Sequence, residues 1–154
     1  MTHPIETRLA ALGIALPAAP PPAANYVPYV VTGNLVHISG QISQDANGLI
    51  KGRLGETMDV AQGAAAARAC AIAILAQLKA AVGGDFSRVV RAVKLGGFVN
   101  STADFIDQPK VINGASDLLV EVLGDGGRHA RAAVSAPSLP LGVAVEIDAI
   151  FEIS

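Results

Sequence analysis

The stretch HARAAVSAPSLPLGVAVEIDAIF, from His129 to Phe151, alternates in character with a period of two on both sides of a proline-containing bend. Extended strands carry such a pattern, because successive side chains point to opposite faces of a sheet. Arg131, Ala133 and Ser135 therefore share one face, and Ala132, Val134 and Ala136 the other. On the second run Val145, Ile147, Ala149 and Phe151 form the apolar set, with Glu146 and Asp148 opposite. The pattern predicts a hairpin folded about Ser138 to Leu141, which would bring Arg131 within cross-strand reach of Glu146 or Asp148.

A chain of 154 residues suits one domain, which at that size buries about 70% of the surface its unfolded chain exposes. Hydrophobic residues make up 51% of it and charged ones 16%, with a mean hydropathy of +0.47, so part of the surface is expected to lie between subunits. A net charge of −2 gives no basic footprint for nucleic acid. The single Cys70 excludes an intrachain disulfide framework and suits a reducing, cytoplasmic setting. Arg68 and Gln77 interrupt the alanine-rich stretch before it reaches the roughly 20 apolar residues that span a bilayer, so no membrane partner is expected.

Near the start, LAALGIALPAAPPPAA imitates a secretory signal in its apolar centre and small residues. Against that reading, Glu6 weakens a positive leader, Pro4 suits a helix start, and Ile5, Leu9 and Leu12 recur on one helical face. The expected organisation is a short helix and proline-rich linker over residues 1–25, then a single domain over 26–154.

In that domain YVPYVV and NLVHISGQI flank Thr32-Gly33 as a hairpin. From about Asp59 to Val82 the spacing is helical, with a stripe of mostly alanine at first and larger residues later, so the first half can lie close to a sheet. RVVRAVKLGGFV reads as a strand whose Gly96-Gly97 marks a bulge or a close backbone approach. A second helix is expected from Gln108 to Leu123. This order predicts an α+β fold, a sheet with two long helices packed on one face.

His3, His37 and His129 lack metal-ligand spacing, and no metal is expected. Cys70 sits among alanines and reads as core. Neither a nucleophile elbow nor a phosphate-binding glycine loop is present. Arg131 and Glu146 remain. They are a structural ion pair, or they are a site in which the guanidinium fork binds a small carboxylate and the glutamate activates water.

Arg131, then Leu139-Pro140, then Glu146-Ile147 is similar to the C-terminal signature of the RidA family, also called YjgF or L-PSP-like. Ser39 to Ile42 resembles the family's Ser-Gly-Gln-Ile strand, Tyr26 stands where the family has a pocket tyrosine, and VIN puts Asn113 at its asparagine position. The match runs from about Tyr26 to the C-terminus, and the added N-terminal helix resembles a longer branch labelled endoribonuclease. The resemblance implies a chorismate-mutase-like fold, a homotrimer with pockets between subunits, and no cofactor. It implies hydrolytic deamination of 2-imino or enamine carboxylates, with Arg131 as carboxylate clamp and Glu146 as water-positioning acid/base. Tyr26, Ser39, Asn113 and Ala133 would line the pocket. Ala132 and Ala133 depart from the family's polar residues after the arginine, and Ser135 replaces an acidic one. The other expectations are a trimeric carboxylate-binding protein without turnover and, against the acidic charge, a ribonuclease.

Overall fold

The computed structural model describes residues 2–22 and 24–154. Helix α1 (Pro4–Ala11) is capped by His3, whose Nδ1 accepts from Ile5 N–H at 3.2 Å. Its buried Ile5 and Leu9 join the main core, and Arg8 donates to the Val122 carbonyl near the end of a later helix. Residues beyond it cross the second helix, where buried Gln77 Nε2 donates to Pro20 O at 2.6 Å. The hairpin follows as β1 (Tyr29–Thr32) and β2 (Leu35–Ile42), with a two-stranded ribbon, β3 (Gln44–Asp45) and β4 (Gly48–Leu49).

Helix α2 (Val60–Ala81) starts at a capping box: Asp59 Oδ1 accepts from Gln62 N–H at 2.8 Å and Gln62 Oε1 from Asp59 N–H at 3.0 Å. By length and composition α2 could cross a membrane, but it is a core helix here, buried against the sheet through Cys70, Ala71, Ile74 and Leu78. Strand β5 (Val89–Asn100), helix α3 (Gln108–Leu123), β6 (Ala130–Ala136) and β7 (Val145–Ile153) complete the fold. Small residues let α2 and α3 approach: a Cβ on Gly114 would strike the Ala64 carbonyl, and one on Gly63 would crowd Leu54 and Val111.

The five-stranded sheet runs β1-β2-β7-β5-β6, antiparallel except for the parallel β5–β6 pair. Both long helices pack on one face, where Val36, Leu95, Val99, Ile147 and Phe151 form the core. Among the described residues no helix covers the other face, which carries Glu146, Asp148, Phe98 and Val134.

The expected β6–β7 hairpin does not form. Strand β6 returns from α3 parallel to β5, as a strand–helix–strand crossover does, and takes the sheet edge. The bend at 137–144 then crosses the end of β5, where Asn100 N–H donates to Ala144 O at 2.9 Å and Asn100 Nδ2 to Val143 O at 3.0 Å. Strand β7 enters on the far side of β5. The glycine pair marks close approach: a Cβ on Gly96 would meet Asp148 and one on Gly97 would meet Ile112. The bulges of β5 fall earlier, between Val89 and Arg91 and between Ala92 and Lys94.

Candidate functional site

Arg131 lies opposite Leu95, which lies opposite Ala149, so its side chain projects to the helix-covered face. Glu146 lies opposite Phe98, three residues along and two strands away, and projects to the open face. Strand geometry puts their Cα atoms roughly 14 Å apart, with the sheet between the charges. The expected Arg131–Glu146 or Arg131–Asp148 pair is therefore absent within one chain. Alternation along each run is as the sequence predicts; the pairing of the runs is not.

Arg131 is held by α3. Its Nη1 donates to Asn113 Oδ1 at 2.8 Å and to Ser116 Oγ at 3.1 Å, and its Nη2 approaches Pro109 O at 3.4 Å. Asn113 and Ser116 are three residues apart and so share a helix face. His129 closes the group, with Nε2 2.9 Å from Ser116 Oγ and Nδ1 2.6 Å from Gly127 O. These side chains line a cleft of about 290 Å³. Ala133 is half-buried on the same face, opposite Gly97, and adds no polar side chain.

Glu146 faces a different cavity, of about 390 Å³, walled by Tyr26, Gly40, Leu141 and Pro20 to Pro22. Burial raises its carboxyl pKa above the ordinary range, and the negative charge of Asp148 raises it further. Burial raises Asp148 too, with a Gly96 backbone hydrogen bond and the charge of Lys94 opposing. Gly40 lies within the irregular β2–β7 register, between Ile38 and Gln41, and leaves room for the carboxylate: a Cβ there would lie 2.7 Å from Glu146 Oε2. Ser39 lines an adjoining cavity with Tyr26 and Glu146, and its hydroxyl donates to Val27 O at 2.8 Å. Leu141 holds φ 60°, a left-handed conformation that a leucine adopts at a cost, at the rim of the Glu146 cavity.

The six candidate residues thus form two groups. Arg131, Asn113 and Ala133 stand on the helix-covered face, and Tyr26, Ser39 and Glu146 on the open side. Sequence reasoning missed Ser116, His129, Gly40 and the proline wall. The i, i+3 spacing of Asn113 and Ser116 was a usable signal, as was His129 two residues before Arg131.

A mixed sheet with two long helices on one face is the arrangement of a chorismate-mutase-like α+β protein. The chain belongs to the YjgF/RidA family, whose model, described as "YjgF/chorismate mutase-like, putative endoribonuclease", matches residues 6–152. It is 50% identical over 152 residues to "Protein TCP17" of Trypanosoma cruzi, covering 97% of this chain and 94% of that one. The crystal structure of Atu1372 from Agrobacterium tumefaciens, described as of unknown function, superposes with a TM-score of 0.91 at 51% identity, over 98% of this chain and 93% of that one. RidA from the Antarctic bacterium Psychrobacter superposes with a TM-score of 0.59 at 29% identity, over 88% and 94%.

Proposed function

We propose that this protein hydrolyses small 2-imino carboxylates, and the enamines in equilibrium with them, to 2-oxo acids and ammonia, in pockets between the subunits of a homotrimer. The observation that carries this reading is the division of the candidate residues. An anion-binding group and an acid/base group lie on opposite faces of one sheet, so one substrate reaches both only where two copies meet. The uncovered face, with half-exposed Val30 and Val134, offers apolar surface for that contact.

In this pocket Arg131 and Asn113 of one copy hold the substrate carboxylate, beside Ala133, while Tyr26, Ser39 and Glu146 of the next surround the imine carbon. Ionised Glu146 takes a proton from water as its oxygen bonds to that carbon, giving a carbinolamine. The protonated Glu146 then returns the proton to nitrogen. Ionised again, it takes the proton of the carbinolamine hydroxyl as the C=O bond forms and the C–N bond breaks; ammonia carries that proton away as ammonium and leaves the 2-oxo acid. A carboxylate with a raised pKa is the stronger base for the first step and a competent acid for the second.

Ala133 favours a second reading, a trimeric carboxylate binder without turnover, because it supplies no side-chain donor beside the clamp. The family description also names endoribonuclease. The net charge of −2 argues against binding a phosphate backbone.

The test is ammonia release from 2-iminopropionate and 2-iminobutyrate generated in situ, comparing wild type with Arg131→Ala. Acceleration that the variant loses supports the proposal, since removing a hydrogen-bonded charge partner costs roughly 2–5 kcal/mol. No acceleration from an assembled trimer leaves the binder. Light scattering is expected to give three times the 15.6 kDa chain mass, and a monomer removes the shared pocket.

A further inference from the structure

Ser116 and His129 take no part in the reaction above, yet Arg131 donates to Ser116, and Ser116 is in turn held by His129. A backbone carbonyl only accepts, so the 2.6 Å contact with Gly127 O puts a proton on His129 Nδ1. In the neutral ring Nε2 is then an acceptor, and the 2.9 Å contact is donation from the Ser116 hydroxyl. That uses the only proton Ser116 has. Its Oγ lone pairs are left facing Arg131 Nη1, which donates at 3.1 Å.

With a neutral imidazole the direction of each bond follows, from guanidinium to hydroxyl to imidazole to backbone carbonyl. A serine alone could turn its proton elsewhere; His129 holds it away from the arginine. Asn113 Oδ1 takes the other Nη1 hydrogen at 2.8 Å, and Pro109 O, at 3.4 Å, engages one hydrogen of Nη2. Among the described residues, no further acceptor meets the guanidinium. Its Nε–H and the second Nη2–H remain; with the Pro109 carbonyl on the Nη1 side of Nη2, these two lie on one edge with the spacing of a carboxylate. The other charged groups of the cleft are Asp117 and Arg128, and Arg128 faces Asp125 at 3.6 Å.

We propose that Ser116 and His129 are positioning residues that lock the Arg131 guanidinium, so that its Nε–H/Nη2–H edge alone is offered to the substrate; this rests on Arg131 as the carboxylate clamp. Asn113 belongs to the family pattern quoted above, whereas the Ser116–His129 relay is outside it.

The test has two readouts. In protein labelled with ¹⁵N-arginine, Arg131 (assigned by its loss in Arg131→Lys) is expected to show slow Nη exchange. Ser116→Ala and His129→Phe, which keeps a ring without an acceptor, should each make that exchange fast, and Ser116→Thr should restore it. Affinity for 2-oxobutyrate should fall about tenfold in the first two variants and recover in the third, with KM for imine substrates rising more than kcat falls. Unchanged exchange in a folded Ser116→Ala or His129→Phe protein overturns the lock. If wild type binds no 2-oxobutyrate, the clamp reading fails while the exchange measurement still decides the lock.

Discussion

The two faces of the sheet treat their charges differently. On the helix-covered face Arg131 meets neutral acceptors only: an amide, a hydroxyl and a backbone carbonyl. On the open face Glu146 and Asp148 stand two positions apart on β7, both with raised pKa values, and each is held up first by desolvation. Neutral acceptors orient a guanidinium without cancelling its charge, so its field stays available for an anion. Had Arg131 paired with Glu146 within the chain, the clamp would already hold a carboxylate and the base would be tied down as its counter-ion. One chain thus completes the environment of its cation and leaves that of its anions unfinished.

Removing one charge from each face is the sharpest way to break this comparison. Glu146→Gln should lower kcat for imine hydrolysis by about 10²- to 10⁴-fold while keeping 2-oxobutyrate affinity, because it removes the base and leaves the clamp. Its thermal midpoint at neutral pH should rise, since a desolvated carboxylate beside a like charge destabilises the fold when ionised. Arg131→Ala should do the reverse for stability, leaving Asn113 and Ser116 without their charged donor. Thermal midpoints of the two variants moving in the same direction would mean that the two faces do not differ in this way.

That division was half legible in the sequence. Alternation assigned Arg131 and Ala133 to one face, Glu146 and Asp148 opposite the apolar run, and it placed all of them correctly within their own strands. The α2 and α3 limits were also readable, because a capping box, an alanine stripe and closing glycines are local signals. The partner of β6 was not local. A proline-containing bend between two alternating runs resembles a hairpin, and nothing in residues 129–151 says that β5, about forty residues earlier in the chain, lies between them. With the wrong neighbour, Arg131 was set against Glu146, and its actual contacts on α3 went unseen.

Glycine substitutions probe the same contrast with a smaller expected effect on turnover. A Cβ on Gly40 would sit 2.7 Å from Glu146 Oε2, 3.0 Å from Cδ and 3.2 Å from Cγ, all atoms of a side chain that can swing aside. Gly40→Ala should therefore keep the thermal midpoint and lower kcat about tenfold by displacing the base. On the other face a Cβ on Gly114 would strike the Ala64 backbone carbonyl, which cannot swing. Gly114→Ala should lower the thermal midpoint and loosen α3, and with it Asn113 and Ser116. Equal stability losses in the two variants would show that the Glu146 side chain is as confined as the helix contact.

The smallest effect is expected from Asp148→Asn, read as a function of pH. Both carboxyls have higher pKa values folded than unfolded, so the folded chain binds more protons as pH rises through about 4, the ordinary carboxylate range. Stability therefore falls as pH rises through that window and levels off above the raised values. Asp148→Asn removes one of these groups, so its stabilisation should be absent at low pH, grow through the window and persist at neutral pH. The variant also removes the like charge acting on Glu146, which moves the ascending limb of kcat/KM to lower pH. Burial remains the larger cause of the Glu146 shift, so the limb should stay above the ordinary carboxylate range. A limb that does not move in Asp148→Asn, but vanishes in Glu146→Gln, would assign the whole shift to desolvation and remove Asp148 from the electrostatics of the open face.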